Sequence, residues 1–153
     1  MFDFRKAVIA LVFIFISPFC FAENIVIDDA WIREAPPVSQ VQAAYATLKN
    51  DQTSDVEIIG ATSPSFKKIE FHKTISENGL TKMQQQESII ISAQGKSVLE
   101  PEGMHMMLFN PVTPLRAGEK INIHFKLSNG DTTTSSFIVK KATGTDHHQH
   151  MHH

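Results

Sequence analysis

The chain has 153 residues, a single cysteine and a formal net charge of −2 from 14 basic and 16 acidic side chains. That length fits one domain with one hydrophobic core. With no Lys/Arg stripe interleaved with aromatics, the charge pattern excludes an electrostatic footprint for nucleic acid, and no nucleic-acid partner is expected.

Residues 1–22 read as a cleavable secretory signal peptide. Arg5 and Lys6 form a charged n-region, Ala7 to Ile16 an apolar h-region, and Cys20-Phe21-Ala22 a cleavage site before Glu23. The uncharged run from Ala7 to Ala22 is shorter than the ~20 residues a spanning helix needs, and no basic stop-transfer cluster follows. No stable membrane insertion is therefore expected after cleavage. Phe19 disfavours a lipid anchor on Cys20, because lipoprotein signals place a small residue immediately before the acylated cysteine. The mature chain is expected to be soluble, periplasmic and free of thiols. That excludes disulfide scaffolds, cysteine nucleophiles and thiolate metal sites.

Residues 23–141 read as one domain of short strands separated by turn residues, with no amphipathic run of helical period. Ile25 to Arg33 is the first strand, stopped by Pro36-Pro37, and Gln42 to Leu48 follows, closed by Asn50-Asp51. Val56 to Ala61 and Lys68 to His72 come next, with Ser63-Pro64-Ser65 between them, and Glu77-Asn78-Gly79 turns the chain back toward Met83. The clearest pair is last. Ile121, Ile123, Phe125 and Leu127 alternate with Asn122, His124 and Lys126, then Asn129-Gly130 leads to a Thr/Ser-rich return through Phe137 to Val139. This alternation puts His124 on the solvent side. Strands at this spacing predict an all-β sandwich or small barrel with Greek-key connections.

Residues 142–153 have no core-forming pattern and read as a disordered His/Met-rich tail. His147, His148, His150, Met151, His152 and His153 make it a candidate auxiliary metal segment, and its flexible imidazoles suit Cu(II). Such a tail would collect copper and raise its local concentration near a folded site.

The chemistry of the body points to Cu(I). A soft ion in an oxidising, thiol-free setting calls for thioether sulfur and imidazole nitrogen, and methionine sulfur has no proton to lose and forms no disulfide. Two patches supply these donors. His72 ends one strand and Met83 lies on its return, so the intervening turn folds them close to opposite one another. His105 and Met107 sit two apart, which on a strand places both on one face. Met104 and Met106 then point into the core, and Trp31 and Tyr45 read as packing residues.

The pattern is His72, ten residues, Met83, twenty-one residues, His105, one residue, Met107. It resembles the signature of the PCu(A)C family of periplasmic copper chaperones. Asp29-Ala30-Trp31-Ile32-Arg33, Ala43-Ala44-Tyr45, Glu70-Phe71-His72, Pro101-Glu102-Gly103-Met104-His105 and Leu115-Arg116-Ala117-Gly118-Glu119 extend the resemblance over residues 26–140. It implies a cupredoxin-like β-sandwich that binds Cu(I) through His72, Met83, His105 and Met107. It also implies delivery of copper to the CuA-carrying subunit of cytochrome c oxidase, or to another periplasmic copper protein. Two positions depart from the family. Lys73 stands where a methionine often follows the first histidine, removing an optional donor and adding a nearby cation expected to weaken or tune the site without abolishing it, and Glu102 replaces a glycine of the usual Pro-Gly-Gly.

Rival readings differ in their needs. A blue-copper electron carrier needs a cysteine thiolate, and a copper oxygenase with an N-terminal histidine conflicts with Glu23 at the mature terminus. No nucleophile, acid/base pair or phosphate loop stands out, so no enzyme activity is expected. The alternative that remains is a periplasmic copper buffer or resistance protein without a dedicated recipient.

Overall fold

The computed structural model describes residues 25–142. The expected signal peptide and the tail from residue 143 onward, with all its histidines, lie outside the described residues. Ten strands form: β1 Val26–Arg33, β2 Val41–Asn50, β3 Val56–Thr62, β4 Phe66–Glu77, β5 Leu80–Gln86, β6 Ile89–Ile91, β7 Gly95–Leu99, β8 Met104–Pro111, β9 Lys120–Leu127 and β10 Thr132–Lys140. The described residues contain no helix, as the sequence predicts.

The hydrogen-bonded order is β5-β4-β8-β7-β2-β1-β10-β9-β3-β6. Strand β2 is long enough to hold two partners on one side, β8 against Val41 to Ala44 and β7 against Ala46 to Asn50. Although they stand far apart in that order, β3 packs on β4 and β6 on β7, so the sheet folds over into two layers around one core.

Period-2 alternation decides which face each strand buries. In β9, Ile121, Ile123, Phe125 and Leu127 are buried, while Asn122 and Lys126 are exposed and His124 bonds Thr134 Oγ1 on the outer face. In β8, Met106 and Leu108 are fully buried and Met104 packs against the same core, so the inward direction expected for Met104 and Met106 holds. His105, Met107 and Phe109 consequently share the outer face of that strand.

The two predicted hairpins differ in their turns. Between β4 and β5, Asn78 (φ 53°) and Gly79 (φ 77°) both occupy the left-handed region, the requirement of a two-residue type I′ turn. Between β9 and β10 only Gly130 (φ 93°) is left-handed, and the connection runs from 128 to 131 with Gly130 N–H donating to the Leu127 carbonyl.

Strand β5 stands apart from the rest. None of its residues is buried, and Leu80 and Met83 are 64% and 60% exposed. The far half of the β4–β5 hairpin therefore extends beyond the core as an arm.

Candidate metal centre

Register brings the two patches together. His72 on β4 stands directly opposite His105 on β8, with ring centroids 6.1 Å apart. Met107 lies opposite Glu70, and Met83 lies opposite Thr74 across the hairpin. Each methionine is therefore a diagonal neighbour of His72 on the same face, a separation of roughly 7–8 Å that long side chains can bridge. The I′ turn accounts for Met83, because it fixes the β4–β5 register two residues away from bringing Met83 opposite His72.

Both imidazoles are oriented by a partner on one nitrogen and have none on the other. His105, only 4% exposed, donates its Nδ1–H to the Gly103 carbonyl at 3.0 Å. Its Nε2 is buried without a hydrogen-bond partner. The Gly103 carbonyl also accepts the Thr74 N–H at 3.0 Å, which ties the 101–103 turn to β4. His72 donates Nε2–H to Glu70 Oε2 at 2.8 Å, leaving Nδ1 buried and unpartnered. A buried polar atom without a partner costs about 1–3 kcal/mol. Two such atoms on facing rings amount to a pair of bare lone pairs, the state in which imidazole binds a metal.

The surroundings are mixed in charge. Glu70 Oε1 pairs with Lys68, whose ammonium also lies 5.7 Å from the centre of the Phe109 ring, and Phe109 packs 6.5 Å from His72. The bond from Lys68 and then that from His72 hold the Glu70 carboxyl below its ordinary value, against the upward pull of burial. A cleft of about 460 Å³ opens onto Met83, His105 and Met107, and Arg33, Tyr45 and Glu102 also line it. Among the described residues no group of three or more His, Cys, Asp or Glu side chains is placed to hold a metal ion. A metal here would depend on the thioethers, which favours a soft ion.

Three residues acquire roles the sequence reading did not give them. Glu70 is hydrogen-bonded to His72, a contact that its i−2 position on the strand made findable. Tyr45 is a packing residue as expected, its ring centroid 4.6 Å from that of Trp31 at a 41° tilt, but together with Arg33 it also walls the cleft. Lys73 corrects an expectation. It stands opposite Met104 on the face of β4 away from His72, so its cation does not adjoin the imidazoles. Glu102 takes φ 64°, the conformation for which glycine is suited, so the carboxylate substitution carries backbone strain.

Comparisons with known proteins agree with this architecture. A profile of the family described as "Putative lipoprotein LpqE-like" matches residues 25–139. The chain is 31% identical over 126 residues to "Putative lipoprotein Lxx21020" of Leifsonia xyli subsp. xyli, spanning 82% of this chain and 75% of that one. It is also 31% identical over 101 residues to the uncharacterized protein RP573 of Rickettsia prowazekii, spanning 65% of this chain and 55% of that one. Among solved structures, the Cu(I) form of DR1885 from Deinococcus radiodurans has a TM-score of 0.64 at 29% identity, covering 80% of this chain and 81% of that one. The copper-bound PCuAC domain from PmoF2 has a TM-score of 0.66 at 17% identity, covering 78% and 94%, a likeness of fold. The resemblance to PCu(A)C domains and the cupredoxin-like fold expected from the sequence are both borne out.

Proposed function

The chain belongs to the LpqE-like family, and from that premise we propose that it is an extracytoplasmic copper chaperone that carries Cu(I) on His72, Met83, His105 and Met107. The observation that carries this reading is the pair of facing imidazoles, each with one nitrogen tied back and the other buried and unpartnered. Two thioethers on diagonal strand positions complete a soft donor set without a thiolate, suited to Cu(I). The copper-bound neighbours of the same fold lend further support.

The ion is cargo. With two neutral nitrogens and two neutral sulfurs as donors, release is a stepwise exchange in which a recipient substitutes its ligands one at a time, drawn by its higher affinity. No catalytic group is required. The recipient in this proposal is the CuA-carrying subunit of cytochrome c oxidase, and the His/Met tail binds Cu(II) as an auxiliary reservoir.

The mature protein is periplasmic and released by cleavage before Glu23. The relatives named as lipoproteins make the state of Cys20 a direct question. The intact mass of the exported protein answers it, because acylation retains Cys20 and adds lipid.

An anaerobic competition titration against a Cu(I) chelator tests the site. One equivalent of Cu(I) is expected to bind, and undiminished affinity in both Met83→Ala and His105→Ala would overturn the four-donor set. Mixing the loaded protein with a soluble CuA domain tests delivery. Absence of transfer would favour a copper buffer.

A further inference from the structure

Glu70 belongs to neither the donor set nor the core, yet it is held from two sides. Its Oε2 accepts the His72 Nε2–H at 2.8 Å, and its Oε1 pairs with the Lys68 ammonium. The three residues alternate along β4 on one outer face, and Lys68 in turn sits over Phe109, which packs against the His72 ring. The carboxylate is thus fixed by a neighbour on each side rather than free to rotate.

Imidazole has two tautomers, and the hydrogen bond made by one nitrogen decides which nitrogen is left as a donor. A carboxylate oxygen can only accept, so the proton shared with Glu70 resides on His72 Nε2 and the lone pair resides on Nδ1. That Nδ1 is the buried atom without a partner. His105 has the opposite arrangement, because the Gly103 carbonyl takes its Nδ1–H and leaves Nε2 bare.

We propose that Glu70, braced by Lys68, is the positioning residue of the copper site: it holds His72 in the Nε2–H tautomer so that Nδ1 is the nitrogen presented to Cu(I). The assignment deepens the copper reading and rests on it for the ion, but the tautomer is a property of the metal-free protein.

The test uses wild type, Glu70→Gln and Glu70→Leu, and reads the His72 tautomer in the metal-free proteins from long-range ¹H–¹⁵N correlations of the imidazole ring at mildly alkaline pH. Cu(I) affinity is measured in parallel by chelator competition. Wild type is expected to show the Nε2–H form and Glu70→Leu to shift toward Nδ1–H; in Glu70→Gln the single amide oxygen goes to the Lys68 ammonium, the NH2 donates to His72 Nε2, and the tautomer is expected to shift toward Nδ1–H as well. The Leu variant is expected to bind Cu(I) about 10–100-fold more weakly, as for loss of other groups that orient metal ligands, and the Gln variant to be weakened likewise.

An Nδ1–H form in wild type, or unchanged tautomer and affinity in Glu70→Leu, would overturn the proposal. Should Glu70→Leu fail to fold, the wild-type tautomer and the Gln variant still decide. If wild type binds no Cu(I) yet holds the Nε2–H form, the copper reading falls while the orienting contact stands.

Discussion

The two ends of β2 treat buried polar atoms in opposite ways. At its C-terminal end, Asn50 is fully buried and its amide is saturated. Nδ2 donates to the carbonyls of Ser54, Ile91 and Ser92 at 2.8, 3.0 and 3.2 Å, and Oδ1 accepts the Gln52 N–H at 3.0 Å. In and beside its N-terminal half, Gln42 leaves its Oε1 buried without a partner, and on β8 and β4 His105 and His72 each leave a ring nitrogen in the same state. A fold able to satisfy Asn50 so completely shows what a structural polar residue looks like here. The imidazoles depart from that standard on matched, facing rings, which marks them for a ligand from outside the chain.

This contrast predicts a double dissociation. The largest effect is expected for His105→Ala, which should weaken Cu(I) binding by more than about 100-fold, beyond the range for residues that only orient ligands, in an anaerobic chelator titration. Asn50→Ala should do the reverse. It orphans three carbonyl contacts and should lower unfolding free energy by about 2–3 kcal/mol in a denaturant titration, with copper affinity unchanged because the sites share no partner. Copper loss in Asn50→Ala at a temperature where it remains folded would break the comparison.

A finer cut runs through the site itself. Met83→Leu, at a 60% exposed position outside the core, should lower Cu(I) affinity by about tenfold and leave the thermal midpoint in place, since exposed substitutions stay within about 0.5 kcal/mol. The smallest effect concerns the adjoining turn. Glu102→Gly should relieve the left-handed strain at φ 64° and raise stability by up to ~1 kcal/mol, part of the gain being offset by glycine's greater backbone entropy. A lower thermal midpoint in Glu102→Gly would show that its side chain makes a compensating contact at the cleft.

Much of this was legible in the residues. Alternation in β9 and the Asn78-Gly79 turn set local geometry, so the strands and the proximity of Met83 to His72 followed from short-range rules. Other features depend on long-range pairing. The β4–β8 register that sets His72 opposite His105 joins segments more than thirty residues apart, and only the resemblance to a known signature anticipated that they meet. Strands β6 and β7 are not legible in the sequence, because Ile89-Ile90-Ile91 is a short apolar run without alternation and Gly95 to Leu99 is mostly polar. Lys73 differs from its expected place for another reason: adjacency in sequence is not adjacency in space on a strand, which sends neighbours to opposite faces.

The absence of any buried residue in β5 has a further consequence. Substitutions along the hairpin arm are decoupled from the cost of folding, whereas changes at β8 alter the core through Met106 and Leu108. On the proposed copper role, metal retention can therefore be retuned by drift in β5 alone, one exposed residue at a time, while the protein stays foldable. That makes the arm the part of the molecule most open to adaptation toward a new recipient.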